Sequence, residues 1–405
     1  MSKRLGLKYH LNKVKDVSLR DVVSVVPMVI ALLFSPFFKK KICKAWAVCE
    51  RAQEACDNGY HFFKYCRTFH PERQCYYAID IKSEDYEKVK KFGNIVPYGS
   101  IRHWLLYFNA DYLFSSQSFK PNGYVCTFFE RLGLFKPKHV FLQHGITINK
   151  ADFILASHRP NTVFFITGAK PETDFIERDF GYPAGTVQMT GFARFDALHG
   201  FKCKKNRILI MPTWRKWLRL KSEANSDIES DFLSSDYYKK WVELINSEEL
   251  ISLINKYNLE IIFMPHPNMR ALPDTSAITN KYIHDANEYS ENLQELLKTS
   301  EMLITDYSSV FFDMVYMKKP VLFYQFDYEE FRKYHYKEGW FDYRNTNFAR
   351  SCSESSSCIA ELERILKSDY SISREYIEEY KKTFVLYDTD NCKRIYELVA
   401  GNGSS

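Results

Sequence analysis

Nothing in this chain is long and apolar enough to cross a bilayer with ease. The run VVSVVPMVIALLFSPFF, Val22 to Phe38, falls short of the ~20 residues a spanning helix needs and is interrupted by Pro27 and Pro36. No small-residue cleavage site accompanies it, so a removable signal peptide is not expected. None of the ten cysteines forms a CxxC pair, and no histidine stands at zinc-ligand spacing from one. Scattered thiols in so large a chain point to reduced, buried core residues. Internal repeats are lacking, and low complexity is confined to SCSESSSC (Ser351 to Cys358) and the tail GNGSS. No acidic cluster marks a metal, so neither a metal nor another cofactor is expected. The net charge of +6 is weak for a nucleic-acid binder, and no nucleic-acid partner is expected. It suits anionic small molecules or an anionic membrane surface.

What is present suits two domains. A chain of 405 residues with 45% hydrophobic and 16% aromatic content can fill two cores of roughly 150–200 residues each. The apolar run near the start is preceded by Lys3, Arg4, Lys8, Lys13, Lys15 and Arg20 and followed by Lys39, Lys40 and Lys41. Basic flanks around a short apolar stretch describe an interfacial anchor on anionic lipid. The alternative is a buried first strand and loop.

Beyond it, residues 42–69 read as helix and 75–81 as a strand. Short strands recur at 112–115, 139–143, 163–167 and 187–190, with helices at 124–132 and 172–180. A polar, basic stretch at 200–206 reads as a linker, after which the alternation restarts. Strands are expected at 207–211 (RILIM), 260–264 (EIIFM), 302–304 and 321–324, with helices over 231–257 and 293–298. Alternating strands and helices argue for parallel sheets. The expected division is residues 1–41 as a membrane-associating segment, 42–202 as one Rossmann-like domain, 203–385 as a second, 386–400 as a helix returning to the first, and 401–405 as a tail.

In such sheets, ligands bind beyond the carboxyl ends of the strands. Four strand ends carry polar chemistry: Gln143-His144-Gly145, Pro212-Thr213-Trp214-Arg215, Pro265-His266-Pro267 and Thr305-Asp306-Tyr307-Ser308-Ser309. Ser308 and Ser309 stand at a helix start, where free N–H groups and hydroxyls favour an anion, or where they simply cap the helix. Arg215 offers a planar fork for phosphate, or a surface ion pair. Asp313, four residues after Ser309, can accept from ribose hydroxyls or be a buried structural carboxylate. His144 precedes Gly145, which lets backbone approach a ligand closely, and can serve as a general base. His266, held between two prolines, can donate to a diphosphate. Either histidine can also be structural.

At these residues the chain resembles the CDP-glycerol glycerophosphotransferases, the teichoic-acid and capsule polymerases and primases. The resemblance rests on FLQHGIT, TGFARFD, IMPTWR, MPHP, LITDYSSVFFDMVYMKKPVLFYQFDYEEF, EGWFDY and YDTDNCKRIY, in order, with AWAVCERAQEACDNGYHFFKY near the start. It implies an α/β, GT-B-like architecture of two Rossmann-type domains with the active site between them. It implies transfer of glycerol phosphate or ribitol phosphate from CDP-glycerol or CDP-ribitol to a hydroxyl of a lipid-linked or polymeric acceptor, with release of CMP. It implies a peripheral protein on the cytoplasmic face of a bacterial membrane; a homo-oligomer is compatible with it. Carried over, His144 and His266 are catalytic, with His144 as the base. Thr213, Arg215, Asp306, Ser308, Ser309 and Asp313 serve the donor, and Gly145 belongs to the acceptor side. Two departures stand out: HGIT in place of HGT, and TNFARSCSESSSC where a Gly-rich continuation is expected after WFDYRN. The competing readings are a GT-B glycosyltransferase using a nucleotide sugar, and a non-catalytic scaffold of an assembly complex.

Overall fold

Short apolar segments buried on both faces build two sheets, and every ladder in them is parallel. The computed structural model describes residues 25–117, 119–159, 161–218, 232–265 and 280–402. His266, the basic residues before Val25 and the start of the helix expected over 231–257 lie outside the described residues.

The first sheet contains β1 (Trp46–Cys49), β2 (Cys75–Ile79), β3 (Ile95–Pro97), β4 (Tyr112–Ser115), β5 (Lys138–Phe141), β6 (Thr162–Thr167) and β7 (Val187–Met189), in the order β3-β2-β1-β4-β5-β6-β7. The second contains β8 (Arg207–Met211), β9 (Glu260–Phe263), β10 (Ile283–Asp285), β11 (Met302–Thr305), β12 (Val321–Tyr324) and β13 (Ala349–Cys352), in the order β10-β9-β8-β11-β12-β13. Each sheet starts in its middle, grows to one side, and then returns to the other. The reversals fall between β1 and β4 and between β8 and β11. The two Rossmann-type halves form a GT-B-like pair with a cleft between them, lined by residues that follow β5, β8 and β11.

Six helices matter below: α1 (Val25–Ile42), α2 (Asn58–Phe69), α3 (Ile101–Asn109), α4 (Leu293–Thr299), α5 (Phe311–Tyr316) and α6 (Asn391–Asn402). The last of them crosses back to the first sheet. The Asp196 carboxylate accepts from Asn391 N, Asn391 Nδ2 and Cys392 N at 2.9, 2.7 and 2.9 Å, which satisfies donors at the start of α6. Tyr396 then stacks on His70 at 3.6 Å between ring centroids.

One local expectation changes, and two further stretches take definite form. Residues 42–69 are not one helix: Trp46–Cys49 is the central strand β1, and α2 begins at Asn58. AWAVC is continuously apolar because a central parallel strand is covered on both faces, and such a run has no periodicity to separate it from a buried helix. SCSESSSC, low in complexity, forms regular structure: its first residues finish β13 and its serines open the helix Ser355–Lys367. The apolar run near the start is helical from Val25, with Pro36 inside the helix, rather than a buried strand.

Candidate active site

His144 stands in the cleft because the backbone before it turns sharply. Gln143 has φ +59°, a left-handed conformation costly for a residue with a Cβ. The turn is held from outside. Asn58 Nδ2, at the start of α2, donates to Gln143 O at 2.7 Å and Leu142 O at 3.2 Å. Two residues past Gly145, Thr147 N donates to Glu172 Oε1 at 2.6 Å, and Glu172 Oε2 accepts from Gly168 N at 2.8 Å. Both anchors are fully buried. The His144 ring itself is exposed to the cleft. Enclosure by the walls and the positive charges of Arg194, Arg159 and Arg51 hold its pKa down toward about 4, against a hydrogen bond with the Ser116 backbone. Because the ring is open to cleft water, the enclosure contribution is softened and the three guanidinium groups are the firmer cause. Either way, the imidazole is neutral at neutral pH.

The opposite wall comes from the reversal point of the second sheet. Thr213, Ser308, Ser309 and Asp313 line it, facing His144 and Gly145 across a space of about 410 Å³. The Thr213 hydroxyl is buried and, among the described residues, has no hydrogen-bond partner. The residue preceding α5 is Val310, which makes no side-chain cap, and Ser308 Oγ accepts from Val310 N at 3.4 Å in the turn ahead of the helix. The walls are close. A Cβ on Gly145 would lie 3.1 Å from Ser309 Oγ, so any larger residue here presses on that hydroxyl.

Three candidates sit differently from the expectation. Arg215 is fully buried and is not among the cleft-lining residues. Its Nε and Nη2 donate to Asp327 at 2.6 and 3.0 Å, and Nη1 lies 2.9 Å from Asp306 Oδ2. Tyr237, Tyr307 and Phe331 pack their rings around it. The fork thus has its carboxylates already, and it stiffens the strand ends instead of facing a ligand. Asp306, also fully buried, accepts from Thr213 N at 2.8 Å and Tyr307 N at 2.7 Å, fixing the turns after β8 and β11 relative to each other. Asp313 lines the cleft, but both of its oxygens are taken by Arg194. Of its two readings, the buried structural carboxylate matches this geometry. His266 lies outside the described residues.

Arg194 is the group that strand-end reasoning missed. It sits in TGFARFD, which the resemblance quotes without giving it a role. The signal available was a lone arginine in an apolar stretch just before the linker. His335 was missed too; it lines the cleft and accepts from Lys216 N at 3.1 Å. The EGWFDY region proves to be a clasp. Trp340 Nε1 donates to Thr147 O at 2.7 Å, Arg332 Nη1 to Asn149 Oδ1 at 2.7 Å, and Lys337 bridges Lys150. The second domain therefore grips the His144 loop directly. Among the described residues, no group of three or more His, Cys, Asp and Glu could hold a metal ion.

The sequence profile of the CDP-Glycerol:Poly(glycerophosphate) glycerophosphotransferase family matches residues 34–401. The minor teichoic acid biosynthesis protein GgaB of Bacillus subtilis (strain 168) is 30% identical over 376 residues, which are 91% of this chain and 40% of that protein. The teichoic acid glycerol-phosphate primase of the same organism is 33% identical over 129 residues, 32% of each chain. The chain thus spans less than half the length of these relatives. Among solved structures, the wall teichoic acid polymerase TagF matches with a TM-score of 0.64 at 15% identity, over 95% of this chain and 98% of that one. A UDP-GlcNAc 2-epimerase of Methanocaldococcus jannaschii matches with a TM-score of 0.54 at 11% identity, over 88% and 99%. At these identities the two structures speak for the fold alone. The profile, in contrast, runs from α1 to α6 and takes in the cleft residues of both domains, and the chain belongs to the CDP-glycerol:poly(glycerophosphate) glycerophosphotransferase family.

Proposed function

We propose that this chain transfers glycerol phosphate or ribitol phosphate from the CDP-activated polyol to a hydroxyl of a lipid-linked or polymeric acceptor, releasing CMP. One observation carries the reading. A neutral imidazole, His144, faces the unpartnered Thr213 hydroxyl and the hydroxyls of Ser308 and Ser309 across a narrow cleft. The donor diphosphate rests against those hydroxyls. The acceptor O–H gives its proton to His144 as its oxygen forms a bond to the phosphorus of the polyol phosphate. The bond from that phosphorus to the CMP oxygen breaks, and CMP leaves with the electron pair. A base must come within about 3 Å of the hydroxyl, and fixed donors stabilise the charge that develops on the phosphoryl oxygens.

The reading includes a place of work, the cytoplasmic face of an anionic membrane. No described helix is long and apolar enough to cross a bilayer. Helix α1 nevertheless exposes Val26, Val29, Leu32, Leu33, Phe34, Phe37 and Phe38 and ends in Lys39, Lys40 and Lys41. That combination suits an interfacial helix.

The test is CMP release by purified protein given CDP-glycerol or CDP-ribitol with a glycerol phosphate oligomer as acceptor. Acceptor-dependent CMP from one donor supports the reading. Release of a nucleoside diphosphate from a nucleotide sugar instead, with neither CDP-polyol consumed, overturns it.

A further inference from the structure

His144 also stands beside the reversal point of the first sheet, between β1 and β4. Doubly wound sheets bind ligands at such points. Here β1 runs on into Glu50 and Arg51, and β4 into Ser116 and Gln117. Gln117 gathers two arginines: its Oε1 accepts from Arg51 Nε at 2.7 Å, and its backbone oxygen from Arg159 Nη2 at 3.5 Å. Arg159 Nε donates to Phe153 O at 3.4 Å, and the guanidinium lies 3.7 Å over the Phe141 ring. Phe153 and Glu54, the ion-pair partner of Arg51, both line the cleft.

Arg159 differs from the other enclosed arginines. Arg194, Arg207 and Arg215 each meet two carboxylates. Arg159 meets none at ion-pair distance among the described residues, and its two hydrogen bonds are long ones to carbonyls. Glu130, whose charge reaches it, already serves Lys120 at 2.9 Å and His139 at 3.4 Å. Enclosure accordingly lowers the pKa of Arg159. A half-buried guanidinium without a counter-charge is costly, and it is the state in which a site waits for an anion.

Resting on the transfer reading above, we propose that Arg159, assisted by Arg51, seats a phosphodiester of the acceptor, one polyol unit back from the hydroxyl presented to His144. The donor diphosphate lies on the other wall, so the two anions have separate seats and His144 stands between them. A planar guanidinium stacked on Phe141 keeps its donors in one plane, which suits two phosphate oxygens. The charges that act on His144 include both of these arginines, which places them within electrostatic reach of the reacting hydroxyl.

The experiment is titration calorimetry of the full chain with a glycerol phosphate oligomer, paired with steady-state kinetics in donor and in oligomer. Arg159→Gln is expected to weaken oligomer binding and raise the oligomer KM by at least about tenfold, with the donor KM unchanged. Arg51→Gln is expected to act in the same direction and less, because the side chain is exposed and already paired. Oligomer binding equal to wild type in Arg159→Gln overturns the proposal; so does a wild type that binds no oligomer, or a donor KM that rises in step. If Arg159→Gln does not fold, Arg51→Gln decides by the same readout. A chain that binds the oligomer through Arg159 but consumes neither CDP-polyol overturns the transfer reading and keeps the anion seat. One that consumes CDP-polyol while Arg159→Gln binds normally overturns the seat alone.

Discussion

The Arg194 guanidinium holds the Asp313 carboxylate through two parallel hydrogen bonds, Nε to Oδ2 at 2.8 Å and Nη2 to Oδ1 at 2.7 Å. Arg194 follows the last strand of the first sheet, and Asp313 lies in helix α5 of the second, so the pair is a bolt between the domains at the cleft wall. The same arginine reaches Asp57 at 3.2 Å, and its backbone N donates to Asn58 Oδ1, which ties the bolt to the His144 loop. Nearby, His61 and Gln294 share a hydrogen bond at 2.9 Å between α2 and α4, and Gln294 donates to Arg194 O.

Removing one end of this pair strands a buried charge. Asp313→Ala is expected to cost about 3–5 kcal/mol in urea unfolding, well above the cost of a surface ion pair. Arg194→Met with Asp313→Leu is expected to cost clearly less than the two single changes added together, because neither charge is left behind. Additive costs would show that the two side chains do not act as a pair.

As a base, His144 must be unprotonated, and its pKa is displaced downward from the usual 6.5 toward about 4. The acid limb of kcat/KM is therefore expected below pH 6.5, with a plateau above it. Arg194→Gln removes a nearby positive charge and should move that limb upward. His144→Ala should lower acceptor-dependent CMP release by about 10²–10⁴-fold. A wild-type limb at or above pH 6.5, or one that Arg194→Gln leaves in place, would remove the electrostatic account.

Much of this was legible beforehand, for physical reasons that differ by residue. The strands of both sheets are short apolar runs between turn residues, and the rule about carboxyl ends located His144, Thr213, Ser308 and Ser309 without any view of the fold. What escaped was pairing. Whether Arg215 and Asp313 face a ligand depends on whether Asp306, Asp327 and Arg194 come close enough to claim them, and those partners are far away in sequence. Arg194 escaped because it follows an edge strand rather than a reversal point. The strand Trp46–Cys49 escaped because burial on both faces erases the alternation that identifies a strand.

Gly339 is where the clasp presses closest. A Cβ there would lie 2.1 Å from Ile148 O, a backbone atom that can yield only if the loop after His144 moves. Gly339→Ala is thus expected to lower the unfolding midpoint and kcat/KM together. Trp340→Phe, which loses the hydrogen bond to Thr147 O and part of the ring that packs on Phe312 and Phe341, should cost at least about 1 kcal/mol. Equal effects of the two changes would show that packing against Ile148 is not what places the loop.

Acid should unfold the chain through buried histidines. Burial lowers the pKa of His103, and enclosure that of the partly exposed His61, toward about 3. His103 Nδ1 accepts from Gly99 N and Nε2 faces Phe119 O, so only the neutral form fits both partners. Between an unfolded value near 6.5 and the folded value, the unfolded chain binds the extra protons. Stability is then full above the upper value and is lost as pH falls, by up to about 1.4 kcal/mol per pH unit for each histidine. Urea midpoints at a series of pH values check the slope, and His61→Gln should flatten it. A midpoint unchanged from pH 7 to pH 4 would mean that neither histidine is held neutral.

Helix α1 buries Met28, Ala31 and Ile42 and packs on α3, and its opposite face is exposed among the described residues. Leu33 is 69% and Phe37 80% exposed, close to Lys39, Lys40 and Lys41 in the last turn. Inserting either side chain into the acyl boundary gains about 1.5–3 kcal/mol, and the lysines add attraction to anionic headgroups. Leu33→Glu with Phe37→Glu removes the apolar gain and sets negative charge against the headgroups, while nothing inside the fold changes. Sedimentation with vesicles containing anionic lipid is expected to fall at least about tenfold for the double variant, with thermal stability kept. Binding to neutral vesicles should be weak and insensitive to salt, whereas binding to anionic vesicles should weaken with salt in the wild type. If the double variant sediments with anionic vesicles as the wild type does, α1 is not the membrane contact, and its exposed face serves another purpose.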